Sequence, residues 1–95
     1  MNDNTFTLAA NSDETKTFKP GTYKVTTTGL SDINAEIYLR ARNADDSAWD
    51  PAVLINSRNS GIIGAHSLTV NDNGIVNCFA VGLSDPSRVR VRLSP

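Results

Sequence analysis

The chain has 95 residues, with 9 Lys and Arg against 10 Asp and Glu and a net charge of −1. That length is enough for one hydrophobic core, and the near balance of charge excludes the global basic field of a nucleic-acid or membrane-surface binder. A single cysteine excludes an internal disulfide, and no window approaches the roughly 20 apolar residues of a membrane-spanning helix.

Taken in chain order, the N-terminus MNDNTFTLAANSD is polar and lacks the charged-then-apolar pattern of a secretion signal, so the expected site of synthesis is the cytosol. Residues 1–10 read either as an arm that lies on a partner or as the first strand, with Thr5 to Ala9 rich in strand formers. Thr15 to Phe18 is a second short strand candidate, and Lys19-Pro20-Gly21 a turn. From Gly21, GTYKVTTTG alternates with period two: Tyr23, Val25 and Thr27 share one face, and Lys24, Thr26 and Thr28 the other. Residues 35–42, AEIYLRAR, set Ile37, Leu39 and Ala41 against Glu36, Tyr38, Arg40 and Arg42 in the same way.

A polar turn over Asn43 to Asp46 follows, with at most a short helical turn expected at Asp45 to Trp49. Ala52 to Ile55 is strand-like, Asn59-Ser60-Gly61 a turn, and Ser67 to Val70 a strand. Asn73-Gly74, suited to positive φ, is expected to close a hairpin between that strand and Ile75 to Val81. Cys78, inside the apolar run IVNCFAV, reads as a core residue. The final segment RVRVRLS alternates most cleanly, with Val89, Val91 and Leu93 opposing Arg88, Arg90 and Arg92.

Many short alternating strands between regular turns predict an all-β chain: an antiparallel β-sandwich of two packed sheets, jelly-roll or immunoglobulin-like, in a single domain over residues 1–95. The tetrapeptide Gly-Leu-Ser-Asp occurs at Gly29 to Asp32 and again at Gly82 to Asp85, each copy between corresponding strands. The flanking elements also match, which indicates a possible internal two-fold repeat. The simplest arrangement gives each copy one meandering sheet, with the more apolar second copy placed more centrally.

Candidate chemistry is sparse. His66 is the only histidine and has no Gly-x-Ser-x-Gly elbow or second titrating group near it in sequence, so a loop or surface role outweighs a hydrolase triad. Asp45, Asp46 and Asp50 surround Trp49, but their spacing is not that of a calcium loop, and one Cys with one His cannot complete a zinc site. No cofactor or metal is therefore expected. Trp49 reads first as a plug at the end of the core and second as an anchor for a partner.

The arginines are the most specific feature. Arg88, Arg90 and Arg92 must point one way if the last segment is a strand, and Arg40 and Arg42 occupy the matching strand of the first copy. Such a row either pairs with neighbouring acids, guards an edge, or awaits an anionic partner. A carboxylate-rich protein surface fits better than nucleic acid, because no aromatics interleave the cations.

In its order of elements the chain resembles small virion proteins of tailed bacteriophages, especially capsid decoration or cement proteins. The resemblance runs from Gly21 onward through GTYKVTTTG, AEIYLRAR, the acidic turn closing on Trp49, SLTVNDNGIVNCFAVG and RVRVRLS. It implies a compact sandwich that binds the outside of an assembled head, often as a homo-oligomeric trimer, and bridges subunits of the major capsid protein or another repeated virion protein. The expected location is the virion, with no enzymatic activity and neither nucleic acid nor membrane as partner. Three other readings compete: a carbohydrate- or receptor-binding module of a tail or fibre using Trp49 and Tyr38, a small hydrolase built on His66, and a head-to-tail or tail-tube component.

Overall fold

The computed structural model describes residues 4–30, 35–57, 65–84 and 88–95. These form eight strands: β1 Thr5–Leu8, β2 Asp13–Thr17, β3 Gly21–Thr28, β4 Glu36–Ala41, β5 Val53–Ser57, β6 Ala65–Val70, β7 Ile75–Val81 and β8 Val89–Ser94. No helix occurs among the described residues, including at Asp45 to Trp49, where a turn closes with an isolated bridge between Arg42 and Trp49.

The strands make two packed antiparallel sheets, sheet A in the order β1-β8-β3-β6 and sheet B in the order β2-β7-β4-β5. The pairs β1 with β8, β2 with β7, β3 with β6 and β4 with β5 describe one long folded-back hairpin rolled around a core, which is the strand order of a jelly roll and not of an immunoglobulin domain. Consecutive strands therefore alternate between sheets, and only β4 and β5 are neighbours both in sequence and in a sheet.

This corrects two expectations. The Asn73-Gly74 turn does not close a hairpin: β6 belongs to sheet A and β7 to sheet B, so the turn carries the chain across the sandwich. It is held by side-chain amides, with Asn71 Nδ2 donating to the Arg42 carbonyl (2.8 Å) and Asn73 Nδ2 to that of Asn43 (2.6 Å). Nor does each copy of the repeat form its own sheet. Exchanging each of the first four strands with the strand four places later converts the order of sheet A into that of sheet B read from its other edge, so the copies interlock and exchange sheets. Val25 opposite Leu93 in sheet A corresponds to Cys78 opposite Leu39 in sheet B. The two copies thus hold equivalent places, and the second is not the more central.

Both Gly-Leu-Ser-Asp segments begin in the same way. Gly29 and Gly82 have φ of 86° and 75°, and each following leucine turns inward: Leu83 is buried and Leu30 packs against the core. A side chain at Gly29 would place its Cβ 2.9 Å from the Arg88 carbonyl oxygen. The positive φ reverses the chain at the end of a strand so that leucine can cover the rim of the core. Ser31, Asp32 and Asp85 lie outside the described residues, as does the Asn59-Ser60-Gly61 turn.

The inward faces follow the period-two pattern. Tyr23 and Val25, Ile37, Leu39 and Ala41, and Val89, Val91 and Leu93 are all buried, and Phe6 and Leu8 of β1 join them. Phe18 meets both the Phe6 and Tyr23 rings, at 5.7 and 5.5 Å between centroids. Cys78 is fully buried, and that burial, together with the Glu14 carboxylate, pushes its thiol pKa far up and leaves it unreactive. At the edge β2, Glu14 and Lys16 sit opposite the buried Cys78 and Val76 and pair with each other at 3.7 Å. Glu14 also accepts the Thr7 amide of β1, so a carboxylate latches the neighbouring edges of the two sheets and blocks further strand pairing there.

Candidate functional site

Because inward positions are fully used by the core, any contact chemistry must come from the two outer faces. On sheet B the outward residues are Asp13, Thr15 and Thr17 of β2, Ile75, Asn77, Phe79 and Val81 of β7, and Glu36, Tyr38 and Arg40 of β4. Leu54 lies opposite Tyr38 from β5. Tyr38 and Phe79 stack at 5.1 Å with 13° between planes. The Arg40 guanidinium lies over Phe79 at 5.1 Å and over Trp49 at 4.9 Å, and that of Arg42 over Trp49 at 5.2 Å. From Phe79 through Arg40 and Trp49 to Arg42, ring and cation alternate, an arrangement favoured by the negative ring faces.

The stack is anchored from beneath. Asn77 is 1% exposed; its Oδ1 accepts from Arg40 Nε at 3.0 Å, and its Nδ2 faces Asp13 Oδ2 (3.0 Å), Thr15 Oγ1 (3.0 Å) and the Glu14 carbonyl (3.2 Å). An amide at this point meets donor and acceptor demands together, so it orients Arg40. Tyr38 donates to Glu36 at 3.2 Å; desolvation, then that bond and the Glu36 charge, hold its phenol above the usual range.

Trp49 is half-buried on this outer face, not in the core. The preceding turn places it there. Asn43 Oδ1 accepts the Ser47 amide (2.9 Å), Ser47 Oγ donates to Asp45 (2.7 Å), and Arg42 Nε donates to Asp46 (2.9 Å). The bonds from Ser47 lower the Asp45 pKa. Asp45 and Asp46, weighed above as metal ligands, are thus occupied within the turn, and among the described residues no group of three or more His, Cys, Asp or Glu is placed to hold a metal ion.

Sheet A is built differently. Its outward positions are Thr5 and Thr7 of β1, Arg90, Arg92 and Ser94 of β8, Thr22, Lys24, Thr26 and Thr28 of β3, and Ser67 and Thr69 of β6. None is acidic or aromatic. Arg90 and Arg92 are exposed, and Arg88 is exposed just before β8. A shallow hollow of about 320 Å³ is lined by Thr5, Thr26, Thr28, Arg90, Arg92 and Ser94.

The six residues singled out from sequence therefore fall into two groups on opposite sides of the molecule. Arg40, Arg42 and Trp49 come together on sheet B, while Arg88, Arg90 and Arg92 belong to the β8 side. The matching strands β4 and β8 do correspond, but they lie in different sheets, so their arginines do not form one surface. His66 lies within β6 opposite Val25, a strand and not a loop position; its side chain is outside the described residues.

Asn77 and Phe79 are not singled out by the sequence reading, which takes IVNCFAV as an apolar run. Its alternation with Val76, Cys78 and Ala80 was the available signal for their outward placement. Lys24, Thr26 and Thr28 were placed on the wet face without a role. No protein-family model matches the chain, and no curated protein or solved structure shows significant similarity to it.

Proposed function

We propose that the protein is a non-enzymatic structural module that attaches to the outer surface of an assembled phage capsid, or another repeated virion surface, and stabilises it by bridging neighbouring subunits. The observation that supports this most is the composition of the outer face of sheet B. Tyr38, Phe79, Arg40 and Trp49 form its centre, with Leu54 and Val81 alongside. Of the large hydrophobics exposed among the described residues, Val81 at 49% lies on this face, while Val53 belongs to the same sheet but sits opposite the buried Leu39. Asp13, Glu36, Arg42 and Asp46 rim the patch. Aromatic and Arg groups at the centre with a polar rim are the anatomy of a protein contact.

A face of this size binds modestly as a single copy. Repetition over a symmetric lattice converts modest contacts into avidity, which suits a small module on a large shell. The trimeric assembly and virion location belong to the same reading and rest on the resemblance of the strand pattern. Sugar stacking by Trp49 and Tyr38 is less favoured, because Trp49 already faces Arg40 and Arg42, and Tyr38 already stacks on Phe79.

Purified protein mixed with empty tailed-phage heads is expected to bind saturably, in fixed ratio to capsid subunits, and to raise their resistance to heat. The variant Val81→Asp changes an exposed side chain of this face and is expected to weaken attachment strongly. Absence of saturable binding, or binding unaffected by Val81→Asp, overturns the reading.

A further inference from the structure

The outer face of sheet A presents two exposed guanidinium groups, those of Arg90 and Arg92. Arg92 of β8 sits between Thr5 of β1 and Thr26 of β3, and Arg90 between Thr7 and Thr28. Each guanidinium thus stands in a row with a hydroxyl on either side. The two rows are about 7 Å apart, the repeat of alternate residues on a strand. No described carboxylate pairs with Arg90, Arg92 or the nearby Lys24, whereas Arg42 on sheet B is paired with Asp46 at 2.9 Å. The hollow of about 320 Å³ opens over these groups.

We propose that this face binds an extended protein segment bearing acidic residues at alternate positions, seated across the hollow with its carboxylates on Arg90 and Arg92 and within reach of the Thr26 and Thr28 hydroxyls. The spacing selects the ligand. An extended chain presents alternate side chains on one side at the same interval of about 7 Å as the two arginines. Each guanidinium offers a planar fork that matches one carboxylate. Nucleic acid fits less well, since the face has no aromatic ring for base stacking and the chain as a whole carries a charge of −1.

This site takes from the bridging reading only the choice of a protein as partner, and it supplies the second contact surface that a bridge requires. The test uses the intact protein and two fluorescent peptides of identical composition at low salt, one alternating Glu with Thr and one with all its Glu in a block. Fluorescence anisotropy is expected to show the alternating peptide bound at least about tenfold more tightly, and the R90A/R92A variant weakened by about tenfold or more. Because both arginines are exposed, the variant should unfold at the same temperature as the wild type, and binding of the alternating peptide should weaken as salt is raised. Equal binding of the two peptides, wild-type affinity in R90A/R92A, or tighter binding of a single-stranded oligonucleotide than of the alternating peptide would each overturn the proposal. Peptide binding without attachment to phage heads sinks the virion reading and leaves this site standing; attachment to heads without peptide binding does the reverse.

Discussion

At equivalent places in the two sheets, β7 carries Asn77, Phe79 and Val81 where β3 carries Lys24, Thr26 and Thr28. The neighbouring strands differ in step, with Tyr38 beside Phe79 on sheet B and Arg92 beside Thr26 on sheet A. One face therefore holds its arginines: Arg40 is half-buried, bonded to Asn77 and laid between rings. The other face presents Arg90 and Arg92 to solvent among hydroxyls. The same residue type at the same alternate spacing is a structural clamp in one sheet and an open donor in the other, because its neighbours differ.

The sharpest test of that contrast compares Asn77 with Lys24. Asn77→Ala leaves the Arg40 fork, the Glu14 carbonyl and Asp13 without their shared amide, so chemical denaturation is expected to show a loss of about 2–4 kcal/mol. Lys24→Ala at the corresponding point of sheet A should change stability by less than about 0.5 kcal/mol. Equal effects would show that the two faces are not differently built.

A smaller difference is expected between the arginines themselves. Arg40→Ala removes one hydrogen bond and contacts with two rings and should cost about 1–2 kcal/mol, a fall in Tm of roughly 4–16 °C for a domain of this size. Arg92→Ala should leave Tm nearly unchanged while altering binding to acidic peptides. A destabilising Arg92→Ala would mean that the sheet A cations also serve the fold.

The smallest effect concerns the turn that positions Trp49. The bonds from Ser47 favour the charged form of Asp45, so its folded pKa lies below its unfolded one. Its stabilising contribution is complete above the ordinary Asp pKa of about 3.9 and is lost as pH falls through the lowered folded value. An NMR titration of the Asp45 carboxyl should show that lowered midpoint, and Ser47→Ala should move it back toward the ordinary value. No movement would remove the turn from the account of how sheet B keeps its aromatic row.

Much of the architecture was legible because burial on one side of a strand imposes a period of two. Val89, Val91 and Leu93, or Ile37 and Leu39, had to be inside once the segments were strands, and they are. Asn73-Gly74 was misread because turn chemistry specifies a reversal of the chain, not which sheet receives the next strand; β7 found its partners β2 and β4 far away in sequence. Trp49 was misread for a related reason. A lone aromatic after a polar turn carries no local sign of whether core or cation will cover it, and Arg40 and Arg42 reach it only once β4 and the turn are folded together.

The order of residues by itself determined the strand class, the inward faces and the doubled Gly-Leu turn, since each depends on alternation or on a local φ that neighbours in the chain dictate. Tertiary structure alone decided that the copies exchange sheets and that two arginine rows at matching strands face opposite ways. Pairing between β3 and β8 or β4 and β7 is set by which apolar faces can close one core, and that closure is a property of the whole chain.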